Sequence, residues 1–130
     1  MNNLKEVIQF ENKVVLKGRA GLGKSELIKI TCEELGKKYK IINTPHFLSY
    51  DEMAIQLNDC LEKGVEIFVF DEIQRSKLST LEAIIEFANS NTKVIFNFSE
   101  VDPNFALPTQ AAFKQWIDTQ DQIKIIEFQA

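Results

Sequence analysis

Eight consecutive residues, Gly18-Arg19-Ala20-Gly21-Leu22-Gly23-Lys24-Ser25, have the types and spacing needed to hold a polyphosphate. Glycines let the backbone curl with successive N–H groups pointing inward at an anion, where side-chain bulk would block the approach. Lys24 supplies a point charge for the β- and γ-phosphates, and the Ser25 hydroxyl can take one coordination position on Mg²⁺. The binding segment extends to Glu26, because a helix opening there aims its N-terminal partial positive charge at the same anion. The bland alternative is a glycine-rich turn with an incidental lysine. The flanks argue against it: Lys13-Val14-Val15-Leu16-Lys17 reads as a strand and Glu26-Leu27-Ile28-Lys29-Ile30 as a helix. A bound nucleoside triphosphate is therefore expected.

A metal held by Ser25 needs a carboxylate from the far side, at the end of a buried strand. Val65-Glu66-Ile67-Phe68-Val69-Phe70-Asp71-Glu72 meets that demand, since a continuous apolar run ends in two acids. Asp71 is the expected metal partner. Glu72 would point differently and could polarise a water for attack on the γ-phosphate. Taken alone, the two acids read as a solvated turn after a core strand; paired with the upstream loop they read as chemistry.

With both segments in place, the chain resembles the P-loop ATPases of the additional-strand, catalytic-glutamate division, which includes the AAA+ proteins and RecA-like motors. Gly18 to Ser25 match the Walker A motif, and Ile67 to Glu72 match Walker B with its adjacent glutamate. The order of elements extends the likeness over nearly the whole chain. What the resemblance implies is a single ATPase domain over residues 1–130, with a three-layer αβα P-loop NTPase fold and a five-stranded parallel sheet in the order 5-1-4-3-2. It also implies ATP and Mg²⁺ as ligands, Lys24 and Glu72 as catalytic groups, and a polar sensor on the strand after Walker B. Lys93-Val94-Ile95-Phe96-Asn97-Phe98-Ser99 is similar to that strand. Asn97 is the first choice for the sensor, because an amide interrupting an apolar strand costs stability unless it has a partner. Ser99, on the same face by two-residue alternation, is the second. A neighbouring backbone group could also satisfy Asn97.

The elements that must position these residues follow from periodicity. Five strand-like segments, Val14-Leu16, Tyr39-Asn43, Glu66-Phe70, Val94-Phe98 and Gln122-Phe128, alternate with helical patterns near 24–35, 50–63, 77–89 and 108–118. Such alternation implies a parallel sheet covered on both faces. Gly36 and Gly64 each follow a helical pattern where a left-handed cap is wanted. Ser49-Tyr50-Asp51-Glu52 reads as a capping box, and Ser79-Thr80-Leu81-Glu82 resembles another, although that helix could begin at Ser76. Met53, Leu57, Cys60 and Leu61 form one apolar stripe, Leu81, Ile84, Ile85 and Ala88 a second, and Phe113, Trp116 and Ile117 a third. Pro103 and Pro108 bracket the loop after the sensor strand. Cys32 and Cys60 fall at apolar helix positions and read as small core residues rather than a disulfide or metal pair.

Related nucleotide-binding classes are tested by what is missing. Thr92-Lys93-Val94-Ile95 lacks the acid of a guanine-reading motif, and Asp71-Glu72-Ile73-Gln74 lacks the glycine of a GTPase loop. No L-S-G-G-Q transporter signature occurs. Small-substrate kinases clamp two phosphorylated substrates with several arginines, whereas this chain has only Arg19 and Arg75. AAA+ proteins place an arginine finger near the end of the helix before the fifth strand and a second sensor arginine in a C-terminal lid. Gln110 to Gln120 contains no arginine, Lys114 would be a weaker cation, and the residues up to Ala130 leave the lid missing. Arg75, close after Glu72, could act on a neighbouring subunit's nucleotide; a solvated arginine at a helix start is the plainer reading.

At 130 residues, with 45% hydrophobic and 26% charged residues, the chain has the composition of one ordinary globular domain with a real core. No stretch is long enough to span a bilayer and no basic-then-apolar leader opens it, so no membrane association and a cytoplasmic location are expected. A net charge of −4 argues against a dedicated nucleic-acid binder, though local sites remain possible. Lys37-Lys38-Tyr39-Lys40 is the one dense basic cluster and reads as a solvated helix end, while His46 is a lone loop histidine. The favoured reading is a Mg²⁺-dependent ATPase, slow when isolated, working as a homo-oligomer or within a larger complex acting on DNA or protein. The alternatives are a nucleotide-dependent partner-binding switch with little hydrolysis, and a small nucleotide or nucleoside kinase.

Overall fold

An apolar residue at every position of Ile67–Phe70 requires cover on both faces of the strand, which a sheet between two helical layers supplies. The computed structural model describes residues 3–19, 21, 23–90, 93–99 and 108–128. Along the chain run α1 (Asn3–Phe10), β1 (Lys13–Gly18), α2 (Lys24–Leu35), β2 (Tyr39–Asn43), α3 (Tyr50–Glu62), β3 (Ile67–Asp71), α4 (Leu78–Ala88), β4 (Lys93–Ser99), α5 (Pro108–Asp118) and β5 (Ile123–Glu127). Two short 3₁₀ turns, Thr44–His46 and Ile73–Arg75, follow β2 and β3. All strand pairs are parallel, and the order β2-β3-β4-β1-β5 is the one the resemblance implied. The four helical patterns and five strands read from the sequence are found within a residue or two.

Side-chain alternation assigns each strand residue to a layer. Phe68, Phe70, Val94, Phe96 and Phe98 pack with α3, α4 and α5, while Ile67, Val69, Ile95, Val14 and Leu16 pack with α1 and α2. Phe96 anchors α5 through Phe113 and Trp116, with ring centroids 5.1 and 5.6 Å apart. Such aromatic contacts add about 0.5–1.5 kcal/mol each beyond their buried area.

Most local signals hold. Ser49 caps α3 by accepting the Glu52 N–H at 3.1 Å, and the Glu52 carboxylate reaches back to the Leu48 N–H at 2.8 Å. Gly36 caps α2 in the left-handed conformation. Cys32 and Cys60 are buried free thiols, and burial pushes the Cys32 thiol up to about 11.

Two expectations are corrected, and one helix is added. The box at Ser79 does not form: α4 starts at Leu78, Lys77 precedes it without a side-chain cap, and Ser79 lies inside the helix. Leu61 is exposed because α3 turns it away from the sheet, leaving Met53, Leu57 and Cys60 as the buried stripe. Helix α1 was not expected at all; Leu4 and Ile8 bury it against Ile28 and Cys32 of α2. Ala20, Leu22, Thr92 and Pro103 lie outside the described residues.

Candidate functional site

Strand parity also builds the site. Asp71 continues the Ile67, Val69 face of β3, and Asn97 and Ser99 continue the Ile95 face of β4, so all three meet the layer in which α2 begins. Helix α2 opens with Lys24 and Ser25 immediately after Gly23. Together these ends border an open cleft of about 240 Å³ lined by Gly21, Gly23, Glu26 and Glu72 in addition to those five residues.

The glycines of the loop are required for different reasons. Gly21 and Gly23 both have φ +81°, a region that side chains rarely adopt, with open space around them. Gly18 is required by close approach, since a Cβ there would meet the Phe128 carbonyl oxygen at 2.7 Å.

At the metal-side corner, the Ser25 hydroxyl donates to Asp71 Oδ1 at 2.9 Å, and Asn97 Nδ2 donates to Ser25 Oγ at 2.9 Å and to Asp71 Oδ1. The amide must face this way, because its oxygen would repel the carboxylate. Asn97 Oδ1 is then a buried acceptor with no hydrogen-bond partner among the described residues. A hydroxyl oxygen beside a carboxylate oxygen is the hard donor set that Mg²⁺ takes, and the orphaned amide oxygen is the kind of acceptor that a bound water satisfies. Magnesium therefore fits the residues present.

Lys24 occupies the other corner. Its ammonium donates to the Arg19 carbonyl and to Ser99 Oγ at 2.9 Å, and only 4% of the residue is exposed. Burial pulls its pKa below the ordinary lysine value, and the Asp71 charge offsets part of that. A triphosphate entering the cleft would add a closer anionic partner for this charge.

Glu72 breaks the strand geometry. With φ 56° and ψ 45° it is the one non-glycine in the left-handed region among the described residues, a conformation that costs about 1–3 kcal/mol and that clusters at functional sites. The turn carries Glu72 out of the β3 line, so that it lines the same cleft as Asp71 instead of pointing into the opposite layer.

Of the expected residues, Gly21, Gly23, Lys24, Ser25, Glu26, Asp71, Glu72 and Asn97 border the cleft, Arg19 contributes its carbonyl, and Ser99 joins as Lys24's partner. The Arg19 side chain is exposed, and neither it nor Arg75 lines the cleft. Lys114 lies on α5, in the layer opposite α2. Lys38 donates to the Lys63 carbonyl behind α3 and Tyr39 to Glu33 at 2.9 Å, so these two members of the basic cluster tie elements together. Sequence reasoning missed Gln74, whose buried amide oxygen accepts the Ser99 N–H at 3.1 Å and fixes the end of β4. Its one sequence signal was a polar residue set between apolar Ile73 and a turn.

The model of the ATPase family associated with various cellular activities (AAA) matches residues 14–123. No curated protein matches the chain at a significant level. Among solved structures, a RuvB variant from Thermotoga maritima aligns over 96% of this chain and 41% of its own length, with TM-score 0.63 and 19% identity. The T. maritima RuvB Holliday junction branch migration motor aligns over 98% of this chain and 45% of its own, with TM-score 0.60 and 22% identity. The chain thus spans less than half the length of these structures, and at such identity the likeness concerns the fold. With the family model covering most of its length and the loop, strand-end acids and sheet order all in place, the chain belongs to the AAA ATPase family and has an AAA+-type P-loop core.

Proposed function

We propose that this domain binds ATP with Mg²⁺ in the cleft and hydrolyses it, as an oligomer or as one subunit of a larger machine acting on DNA or protein. The observation that carries the reading is the convergence of Lys24, Ser25, Asp71, Asn97 and Ser99 at the N-terminus of α2, where Ser25, Asp71 and Asn97 share direct hydrogen bonds and Lys24 is bonded to Ser99. Gly18 to Glu26 would cradle the phosphates, Ser25 and Asp71 would hold the metal, and Mg²⁺ would neutralise charge on the phosphates. Glu72 would take a proton from the attacking water, Asn97 would orient that water through its orphaned oxygen, and Ser99 would keep Lys24 aimed at the cleft.

Phosphate release and ATP affinity, measured with and without Mg²⁺, test this. Glu72→Gln should retain ATP binding and lose turnover by about 10²- to 10⁴-fold. Lys24→Ala should weaken ATP binding by about 10- to 100-fold, the worth of a hydrogen bond to a charged group. Equal slow hydrolysis by wild type and Glu72→Gln would overturn the hydrolytic reading, and unchanged affinity in Lys24→Ala would overturn the site. The absence of arginine from the described cleft lining favours a second reading, a nucleotide switch with little hydrolysis. Under it, both proteins bind ATP and neither turns it over.

A further inference from the structure

Strand β3 pairs with β4 only as far as Phe70–Phe96 and turns off at Glu72, while β4 continues to Ser99. The end of β4 therefore runs past the ladder that holds its middle on the β3 side, with Gly18 of β1 paired to Ser99 on the other flank. A side chain takes over from the ladder there. Gln74, on the 3₁₀ turn after β3 and only 3% exposed, accepts the Ser99 N–H with its Oε1 at 3.1 Å. The amide oxygen must face this way, because a peptide N–H can only donate. The turn that carries Gln74 is anchored separately: the Ser76 hydroxyl donates to the Ile73 carbonyl at 2.8 Å, and Thr109 of α5 donates to the Ser76 carbonyl at 2.7 Å.

The residue so held is the one that meets Lys24. Ser99 Oγ accepts from the Lys24 ammonium at 2.9 Å, and the Arg19 carbonyl of the phosphate loop accepts from the same group. A lysine side chain is rich in rotamers, so fixing it before the nucleotide arrives spares that loss of freedom on binding. We propose that Gln74 is a positioning residue for the nucleotide: its amide oxygen fixes the end of β4 and, through Ser99, sets where the Lys24 ammonium stands before phosphate enters. The inference rests on Lys24 as the phosphate-binding cation. Gln74 is not part of the cleft lining, so it acts through Ser99 rather than on the nucleotide. A glutamine that served only the fold would, when replaced, lower stability and leave ATP affinity in place.

The test compares Gln74→Met, which keeps the length but replaces the amide oxygen by a weakly accepting thioether, with Gln74→Glu, which keeps an acceptor oxygen in either protonation state. ATP affinity and hydrogen exchange at the Ser99 amide, without nucleotide, are measured on both, alone and combined with Ser99→Ala. Gln74→Met should weaken ATP binding about five- to tenfold and speed exchange at Ser99. In the Ser99→Ala background it should cause no further loss of affinity, because the link to Lys24 is already cut. Gln74→Glu should restore both affinity and protection. Wild-type affinity in Gln74→Met, a loss that adds in full to that of Ser99→Ala, or a glutamate variant as weak as methionine overturns the proposal. Weakened binding in Lys24→Ala with none in Gln74→Met strikes the positioning role alone, whereas unchanged affinity in Lys24→Ala strikes the site on which it rests.

Discussion

Asn97 and Ser99 stand two residues apart on one strand face, yet they hold different partners and should fail differently. Asn97 bonds the Ser25–Asp71 corner, whereas Ser99 bonds the Lys24 ammonium. Asn97→Ala should therefore raise the Mg²⁺ concentration for half-maximal turnover several-fold and lower kcat by about tenfold. Ser99→Ala should weaken ATP binding and leave the Mg²⁺ midpoint in place. Identical magnesium titrations for the two variants would show that the corners are not separate. Lys24 adds a pH signature. Because burial lowers its pKa in the folded protein below 10.5, the unfolded chain holds the proton more tightly, and nucleotide-free stability must rise with pH between the two values. Urea midpoints from pH 8 to 10.5 should climb more steeply for wild type than for Lys24→Met, and parallel slopes would show that the ammonium is not held at a disadvantage.

At the scale of elements, the helices differ in what holds them. Helix α3 has a real cap, so Ser49→Ala should cost about 1 kcal/mol in chemical denaturation, whereas Ser79→Ala, inside the exposed first turn of α4, should cost a few tenths at most. Helix α1 has eight residues and would not be stable alone; it exists because Leu4 and Ile8 close the α2 layer. Ile8→Ala should accordingly cost about 2–5 kcal/mol, and a loss under 1 kcal/mol would mean that α1 is not part of the core. The same difference explains what was legible in the sequence. Strands β3 and β4 were readable because parity and apolar runs are local, and parity correctly put Asn97 and Ser99 on one face. Helix α1 and the Gln74–Ser99 bond were not, because each depends on a partner distant in sequence. The Gly18 requirement was readable as a motif, but its contact with the Phe128 backbone was not, since nothing local says that β5 ends beside the loop.

For the whole molecule, charge balance at the cleft is the open chemical demand. Among the described residues that line it, one ammonium, Lys24, accompanies the carboxylates Glu26, Asp71 and Glu72, so even with Mg²⁺ present the transferred phosphoryl group would gain from a further cation. Arg75 is the residue we propose would supply it to another subunit. It is exposed on the 3₁₀ turn while Ile73, Gln74 and Ser76 are buried, and that turn is fixed by the Gln74–Ser99 bond and by Thr109, which donates to the Ser76 carbonyl at 2.7 Å. A guanidinium on so well-anchored a turn loses little conformational freedom when it meets a neighbour's phosphates. Sedimentation with and without Mg-ATP should show a nucleotide-dependent rise in mass. Arg75→Ala should assemble normally and hydrolyse far more slowly, up to the 10³- to 10⁵-fold that a trans arginine can contribute. Mixing Arg75→Ala with Glu72→Gln then gives the decisive measurement. The first variant has an intact glutamate and the second an intact arginine, so mixed assemblies regain turnover only if Arg75 completes a site on the adjoining subunit. Mixtures no more active than the sum of their parts, or Arg75→Ala with wild-type turnover, would leave Arg75 as a surface charge and place the missing cation on a different protein.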